Sequence, residues 1–376
     1  MLVEIHMLKN YPAVNLNRDD TGAPKTCLYG NVLRGRISSQ CLKRSWRTYP
    51  YMQDMLSDEM GIRTRKMPEI VRHKLEEEGS YGEFLETVQQ KLTGIANKDG
   101  KESKDGKTSQ IIFYSPADIK AITACVKKLI DECGTLEAFK AVKNKELLKE
   151  LNSLGTRPIS LDMALFGRMV TADIFADVEA AMQVAHAMST NRIQTESDFF
   201  TAMDDYLSSD IEDTGSAMMG ETAYNSACYY EYANIDIDKL RENLKYSTQA
   251  DALMQKELPV LLETMAFSNP SGKQNSFAGQ VLPSAILVEV KDRNIPINYA
   301  EAFVQPAQPH GPIDLVGDSI DKLRQYVDAV AKGYGIESKR FWFSLRPVTA
   351  IDTAIVSCKS LADIKQKALQ AALGGM

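Results

Sequence analysis

Five cations fall within the stretch Arg34–Arg47, RGRISSQCLKRSWR: Arg34, Arg36, Lys43, Arg44 and Arg47. The wider window Thr21–Gln53 has no aspartate or glutamate, although the whole chain carries a formal net charge of −6. Cations without acidic partners are suited to holding a polyanion. Ser38 and Ser39 are N-cap residue types, because a short hydroxyl accepts from the free N–H groups of a first helical turn. From there Gln40, Lys43, Arg44 and Arg47 recur at i, i+3, i+4 and i+7, while Cys41, Leu42, Ser45, Trp46 and Tyr49 fall opposite. The spacing predicts a helix that packs one face and offers the other to successive phosphates, with its N-terminus adding donors and partial positive charge. A merely solvated basic helix is the competing reading. The missing acidic i+4 partners and the serine entry favour anion binding.

Other residue types point to weaker chemistry. Asp19 and Asp20 could serve a metal-dependent hydrolysis, but two adjacent residues rarely aim at one metal, and an Asx turn is the commoner use. His6 lies in LVEIHML and reads as a packed strand residue. The six cysteines (27, 41, 125, 133, 228, 358) and four histidines (6, 73, 186, 310) show no zinc spacing and no disulfide framework. A reducing, cytoplasmic setting is therefore expected, with no metal and no cofactor. No secretory-signal pattern and no apolar run of about 18 residues is present, so no membrane span is expected.

The elements that must position these residues follow from periodicity. Residues 2–8 read as a first strand, and Tyr29–Ile37 as extended chain entering the basic helix. From about 52 to 154 the pattern is helical, with Ser115-Pro116 a sound cap and first-position pair. NKDGKESKDGKTSQ (97–110) reads as an exposed flexible loop. Ala164–Met169 reads as a strand and Phe175–Met188 as a helix. Between Ile193 and Asp238 there is no lysine or arginine but 11 acidic residues, which suits a projecting arm. NSACYYEYANIDID and QVLPSAILVEVKDR read as strands, with helices near 251–266, 319–332 and 360–373 and a strand at 341–345. Strands far apart in sequence and interleaved with helices imply an α+β sheet with a helical insertion, the ferredoxin-like unit being the small-sheet candidate.

NLNRDD (15–20), GRISSQCLKRSWR (35–47), GRM (167–169), AMQVAHAMSTNRI (181–193), DFFTAMDD (198–205) and YYEYANIDIDKL (229–240) resemble the CasC/Cse4 family, which supplies the CRISPR-RNA backbone subunit of the type I-E Cascade complex. The resemblance runs in order from residue 2 to about 300. It implies an RNA-recognition (ferredoxin-like) palm at 1–51, 155–192 and 226–376, a helical fingers domain at 52–154 and a β-hairpin thumb at 193–225. It implies a non-enzymatic role: copies stack head to tail along one CRISPR RNA, each thumb displaces one base in six, and the other five pair with target DNA. The implied partners are CRISPR RNA, target DNA through the guide, further copies of this chain in a helical filament, and other Cascade subunits. Arg18, Lys25, Arg36, Ser38, Gln40, Lys43, Arg44 and Arg47 match the positions lining the phosphate path. Arg168 and Met169 match the palm segment near the displaced base. Phe199, Phe200 and Thr201 match the thumb positions that wedge beside it, and Ser271–Asn275, with Lys273, matches a loop near the RNA.

Phosphate contacts fix register without reading sequence, as a carrier of arbitrary guides requires. The acidic thumb is expected to face a neighbour's basic surface through Asp204 and Asp205. Lys140, Lys143 and Lys149 are expected on the path of incoming DNA. The rival reading is a ribonuclease using Asp19 and Asp20, since related backbone subunits of type III complexes cut RNA with an acid in a comparable loop. A second rival is a monomeric single-strand-RNA module, which would have no use for the arm.

Overall fold

The computed structural model describes residues 1–79, 81–97, 100–153, 155, 157–170, 174–202, 218–247, 249–346 and 355–374. Among them lie 13 α-helices and twelve strands. In chain order the strands are β1 (Leu2–Val14), β2 (Thr26–Tyr29), β3 (Val32–Ile37), β4 (Ile62–Thr64), β5 (Ile112–Tyr114), β6 (Met182–Val184), β7 (Ala187–Ser189), β8 (Glu196–Ala202), β9 (Met218–Asp236), β10 (Pro283–Lys291), β11 (Lys339–Ser344) and β12 (Ile355–Ser357). The chain forms two compact units, one of residues 1–52, 184–234 and 258–376, the other of residues 53–183 and 235–257.

The first unit is built on a large, mostly antiparallel sheet, in the order β12-β11-β10-β1-β9-β7-β3-β2, with β8 pairing β9. Only β11–β12 is parallel among the registers described. β1 is buried over its first eight residues, as a strand covered on both faces must be. Its neighbours supply one core: Leu8, Tyr230, Leu287 and Trp342 from the strands meet Val316, Ile320, Leu323 and Val327 of the helix Leu315–Tyr334. That helix starts at Asp314, which accepts from Gly317 N–H, and stops at Gly335 in the left-handed region.

Lys9 and Glu231 are among the ionisable groups buried in this unit. Lys9 donates to Met265 O and Ser268 O, satisfying carbonyls at the end of the helix Ala250–Phe267. Burial pushes its ammonium pKa down. Glu231 is fully buried, both carboxyl oxygens lack a partner, and burial raises its pKa despite Lys9 nearby.

The second unit has its own helical core. Met67, Val71 and Leu75 meet Val88, Leu92, Ile119, Ile122, Val126 and Leu129, closed by Phe139, Leu147, Leu151 and Phe175. Its longest helix, Pro116–Cys133, has the expected Ser115 cap, which Asp118 completes as a capping box.

Three expectations need correction here. Residues 161–166 are helix rather than strand: the turn Leu161–Phe166 ends at Gly167, whose φ of 78° stops it. Residues 175–188 are not helix; the chain is extended, with Ala185 N–H bonding Tyr232 O and Met188 opposite Tyr230. Pairing with a long central strand outweighs local helical preference. The 97–110 segment, expected loose, is tied where described: Thr108 is buried against Arg65 O, Ser103 N–H donates to Thr93 Oγ1, and Ser109 donates to Asn97. Polar anchors replace the apolar ones it lacks. In addition, residues 155–183, expected with the sheet, belong to the helical unit.

Candidate nucleic-acid interface

The basic stretch folds as predicted into α1 (Ser39–Arg47). Ser38 is the N-cap and accepts from Cys41 N–H through Oγ at 3.3 Å. Its own N–H donates to Asn17 Oδ1 at 2.9 Å, tying the helix entry to the loop after β1. Leu42 and Trp46 are buried at 2 % and 1 % exposure, and Gln40 and Arg44 are exposed on the other side, with Lys43 and Arg47 half-buried. The entry is tight. A Cβ on Gly35 of β3 would lie 2.2 Å from the Tyr229 hydroxyl, so the missing side chain leaves room for the Tyr229 ring beside the strand.

The loop bearing Arg18 lies beside this helix. Leu16–Gly22, Cys41 of α1 and Ser271–Gly272 line one open cleft. A Cβ on Gly272 would lie 2.3 Å from Leu16 O, so the 271–273 loop sits directly on the end of β1. The loop after β1, Cys41 of α1 and the loop just before Lys273 thus border one cleft. Lys273, with φ 50°, is the N-cap of the short turn Gln274–Phe277. Arg18 is exposed and Lys25 half-buried. Lys25 is held by backbone bonds, its N–H to Asn17 O and its O from Arg36 N–H.

Asp19 does what an Asx turn does. Its Oδ1 accepts from Thr21 N–H, Thr21 Oγ1 and Ala23 N–H, and the Thr21 hydroxyl leads the effects that lower its pKa. Asp20 beside it is exposed.

The five cations of the stretch are not equivalent. Arg34 is fully buried, and its guanidinium donates to the carbonyls of Ser189, Thr190, Phe303 and Val304. It joins segments of the first unit and does not face a ligand. Arg36 remains at the surface, with Nε 3.3 Å from Thr26 O and Nη1 2.9 Å from His186 Nδ1. Asn17 and His186 lie in matched segments, but the sequence assigns neither a role. Both are visible only once β7 lies beside β3 and the loop after β1 reaches α1.

The other predicted residues fall in separate places. In the second unit Arg168 points inward: at 6 % exposure it pairs with Asp118 at 2.7 Å and donates to Phe113 O and Ala176 O, with its guanidinium 5.3 Å from the Phe175 ring. Its cation is spent on that core, whereas Met169 next to it is 92 % exposed. Lys140, Lys143 and Lys149 are all exposed. In the first unit β8 and β9 form an antiparallel hairpin with Phe199 opposite Glu221, Phe200 opposite Gly220 and Thr201 opposite Met219. Phe199 and Met219 share one face of the ribbon and Phe200 and Met218 the other, and all four are exposed. The sequence reading missed the two methionines. Asp204 and Asp205 lie outside the described residues.

One group among the described residues has metal-ligand chemistry: Glu4, His6 and Glu289, all fully buried. Its donors are already engaged. Lys291 pairs with Glu4, Arg340 Nε lies 2.8 Å from Glu289, and Tyr299 donates to Glu289 at 2.7 Å. Tyr232 and Ile297 N–H also donate to Glu4. Burial alone would raise the Glu289 pKa, but bonds and charges from His6, Lys291 and Arg340 hold it below the usual carboxylate range. A divalent ion would add charge to a set already balanced by two cations. His6, packed between Tyr232 and Tyr299 with Nδ1 2.8 Å from the Tyr230 hydroxyl, is the strand residue expected.

The fold and site thus define a mixed α/β protein with a cationic helix surface beside a glycine-bearing loop cluster. Residues 3–367 match the CT1975-like protein family, and the chain belongs to that family. Its fold is similar to that of a chain from a "CRISPR RNA-guided surveillance complex, pre-nicking", with a TM-score of 0.83 and 26% identity over 99% of this chain and 100% of that one. A chain of another "CRISPR RNA-guided surveillance complex" matches with a TM-score of 0.72 and 22% identity, again over 99% and 100%. No curated protein sequence matches.

Proposed function

We propose that this chain binds CRISPR RNA as a subunit of a Cascade-type surveillance complex. The observation that carries this reading is the capped helix α1, whose open side presents Gln40, Lys43, Arg44 and Arg47 with no acidic residue from Thr21 to Gln53. The structural likeness to a surveillance-complex chain supports the RNA as partner. The finer reading comes from the resemblance to the CasC/Cse4 family: repeated copies form the backbone of a type I-E complex and leave sequence reading to base pairing. The exposed Phe199, Phe200 and Met169 suit side chains that unstack a base, at a cost of a few kcal/mol. One subunit type repeated head to tail would give a helical filament.

The test is Lys43→Ala with Arg44→Ala and Arg47→Ala, read by RNA affinity across salt concentrations. Three lost phosphate contacts should lower the log–log salt slope by about 2. An unchanged affinity and slope would end the proposal. The role proposed is binding without catalysis, because Asp19 Oδ1 is committed to its turn. Matched RNA incubated with assembled complex and Mg²⁺ or Mn²⁺ should stay intact; cleavage abolished by Asp19→Ala would reverse that assignment.

A further inference from the structure

We infer that His186 is a further residue of the phosphate-binding surface, orienting Arg36 through one ring nitrogen and taking up a proton when a phosphate binds beside it. This rests on the RNA reading above and adds to it a residue and a linked proton.

The argument begins with register. β3 and β7 are antiparallel, with Arg36 opposite Met188. Side chains alternate along a strand, so His186, two residues before Met188, is the diagonal same-face neighbour of Arg36. The contact is made: Arg36 Nη1 lies 2.9 Å from His186 Nδ1. A guanidinium only donates, so Nδ1 is the acceptor and the neutral ring carries its proton on Nε2. The imidazole is exposed, in contrast to buried His6.

Arg36 is thereby held at two points, by Thr26 O on Nε and by His186 on Nη1. A long side chain fixed in this way loses less rotamer freedom on binding, which is the physical content of preorganisation. The charges bearing on the ring are Arg36 from β3 and Lys25 from the loop before β2. Cys27 of β2, beside Arg36, has its thiol pKa raised by burial and brings no negative charge. Partial desolvation, then those two cations, hold the imidazole below its ordinary pKa.

A phosphate arriving at Arg36 and Lys25 reverses the balance. Its negative charge offsets the two cations and favours the imidazolium. Protonation turns Nδ1 into a donor, so the ring gives up its bond from Arg36 Nη1 and both groups then donate to the phosphate. Because the group binds its proton more tightly in the complex than in the free protein, affinity must rise as pH falls through the histidine range.

The experiment measures binding of a uridine oligonucleotide, whose bases do not titrate between pH 5.5 and 8, to wild type, His186→Gln and His186→Ala. Wild type should bind more tightly at pH 5.5 than at pH 8, by up to about tenfold for each unit separating the free and bound pKa values. His186→Gln keeps an acceptor for Arg36 but cannot titrate; its affinity should change little between pH 8 and pH 5.5. His186→Ala should lose about two- to tenfold at both ends through the missing acceptor. Equal pH slopes in wild type and His186→Gln would overturn this inference while leaving the RNA reading in place. Absence of binding by wild type at any pH would instead defeat the RNA reading, and this inference with it.

Discussion

Two clusters of charge occupy the sheet-bearing unit, and they are organised in opposite ways. In the interior, Glu4, Glu289, Lys291 and Arg340 balance one another, and His6 and three tyrosines fill the remaining directions. Around α1 the cations are at the surface, with no acid in their stretch of sequence. Desolvation explains the difference: a buried charge costs several kcal/mol unless paired, whereas a charge that keeps water at the surface carries little of that penalty. The buried set is therefore read as structure and the exposed set as a binding surface.

The largest effects should separate the two. Lys43→Ala with Arg44→Ala and Arg47→Ala should cost on the order of a thousandfold or more in RNA affinity, since hydrogen bonds to charged groups contribute about 1.5–3 kcal/mol each, and leave denaturant unfolding nearly unchanged. Arg340→Ala should do the reverse, destabilising by about 3–5 kcal/mol because Glu289 loses its buried partner while RNA affinity holds. The wild-type contribution of Glu289 has a definite pH sense. Its folded pKa is depressed, so the stabilisation is present above the ordinary glutamate range near pH ~4.3 and fades as acid is added below it. If Arg340→Ala lost RNA affinity with its stability intact, the division between the clusters would be wrong.

A smaller effect is expected at the hairpin. Phe199→Ala with Phe200→Ala removes exposed aromatic surface, so folding stability should change by less than about 0.5 kcal/mol. If copies displace one base in six as proposed, 2-aminopurine placed at each guide position in turn should show that period in the wild-type complex and lose it in the variant. Unaltered periodicity would remove the hairpin from base displacement. The smallest effect is expected for Lys140→Ala, Lys143→Ala and Lys149→Ala together. Target-DNA association should slow by about tenfold at low salt and converge with wild type as salt rises, with guide binding spared. Equal losses of guide and target would count against a DNA-facing role.

Helix α1 was legible in the sequence because its signals are local: a serine cap, a 3.6-residue apolar repeat and an absence of acid. Arg34 and Arg36 were not separable in the same way. They lie two apart in one strand, yet one guanidinium is buried among four carbonyls and the other stays at the surface beside His186. Arg168 misled for a similar reason. It lies in a segment matching the family pattern, but Asp118 and the Phe175 ring take up its charge inside the helical unit. The expected helix at 175–188 gave way to extended chain because its strand partner comes from far along the chain, and the expected strand at 164–169 gave way to a short helix that Gly167 ends.

By itself the sequence determined the basic helix, its cap, the acid-free window and the packed role of His6. Each depends on neighbours within a few residues or on composition alone. The tertiary structure decided which cations face water, that the loop at 271–273 rests on the end of β1, and that a histidine 150 positions away meets Arg36. Those outcomes depend on strand order and burial, since whether a charge stays exposed or becomes paired is set by what the rest of the chain packs against it.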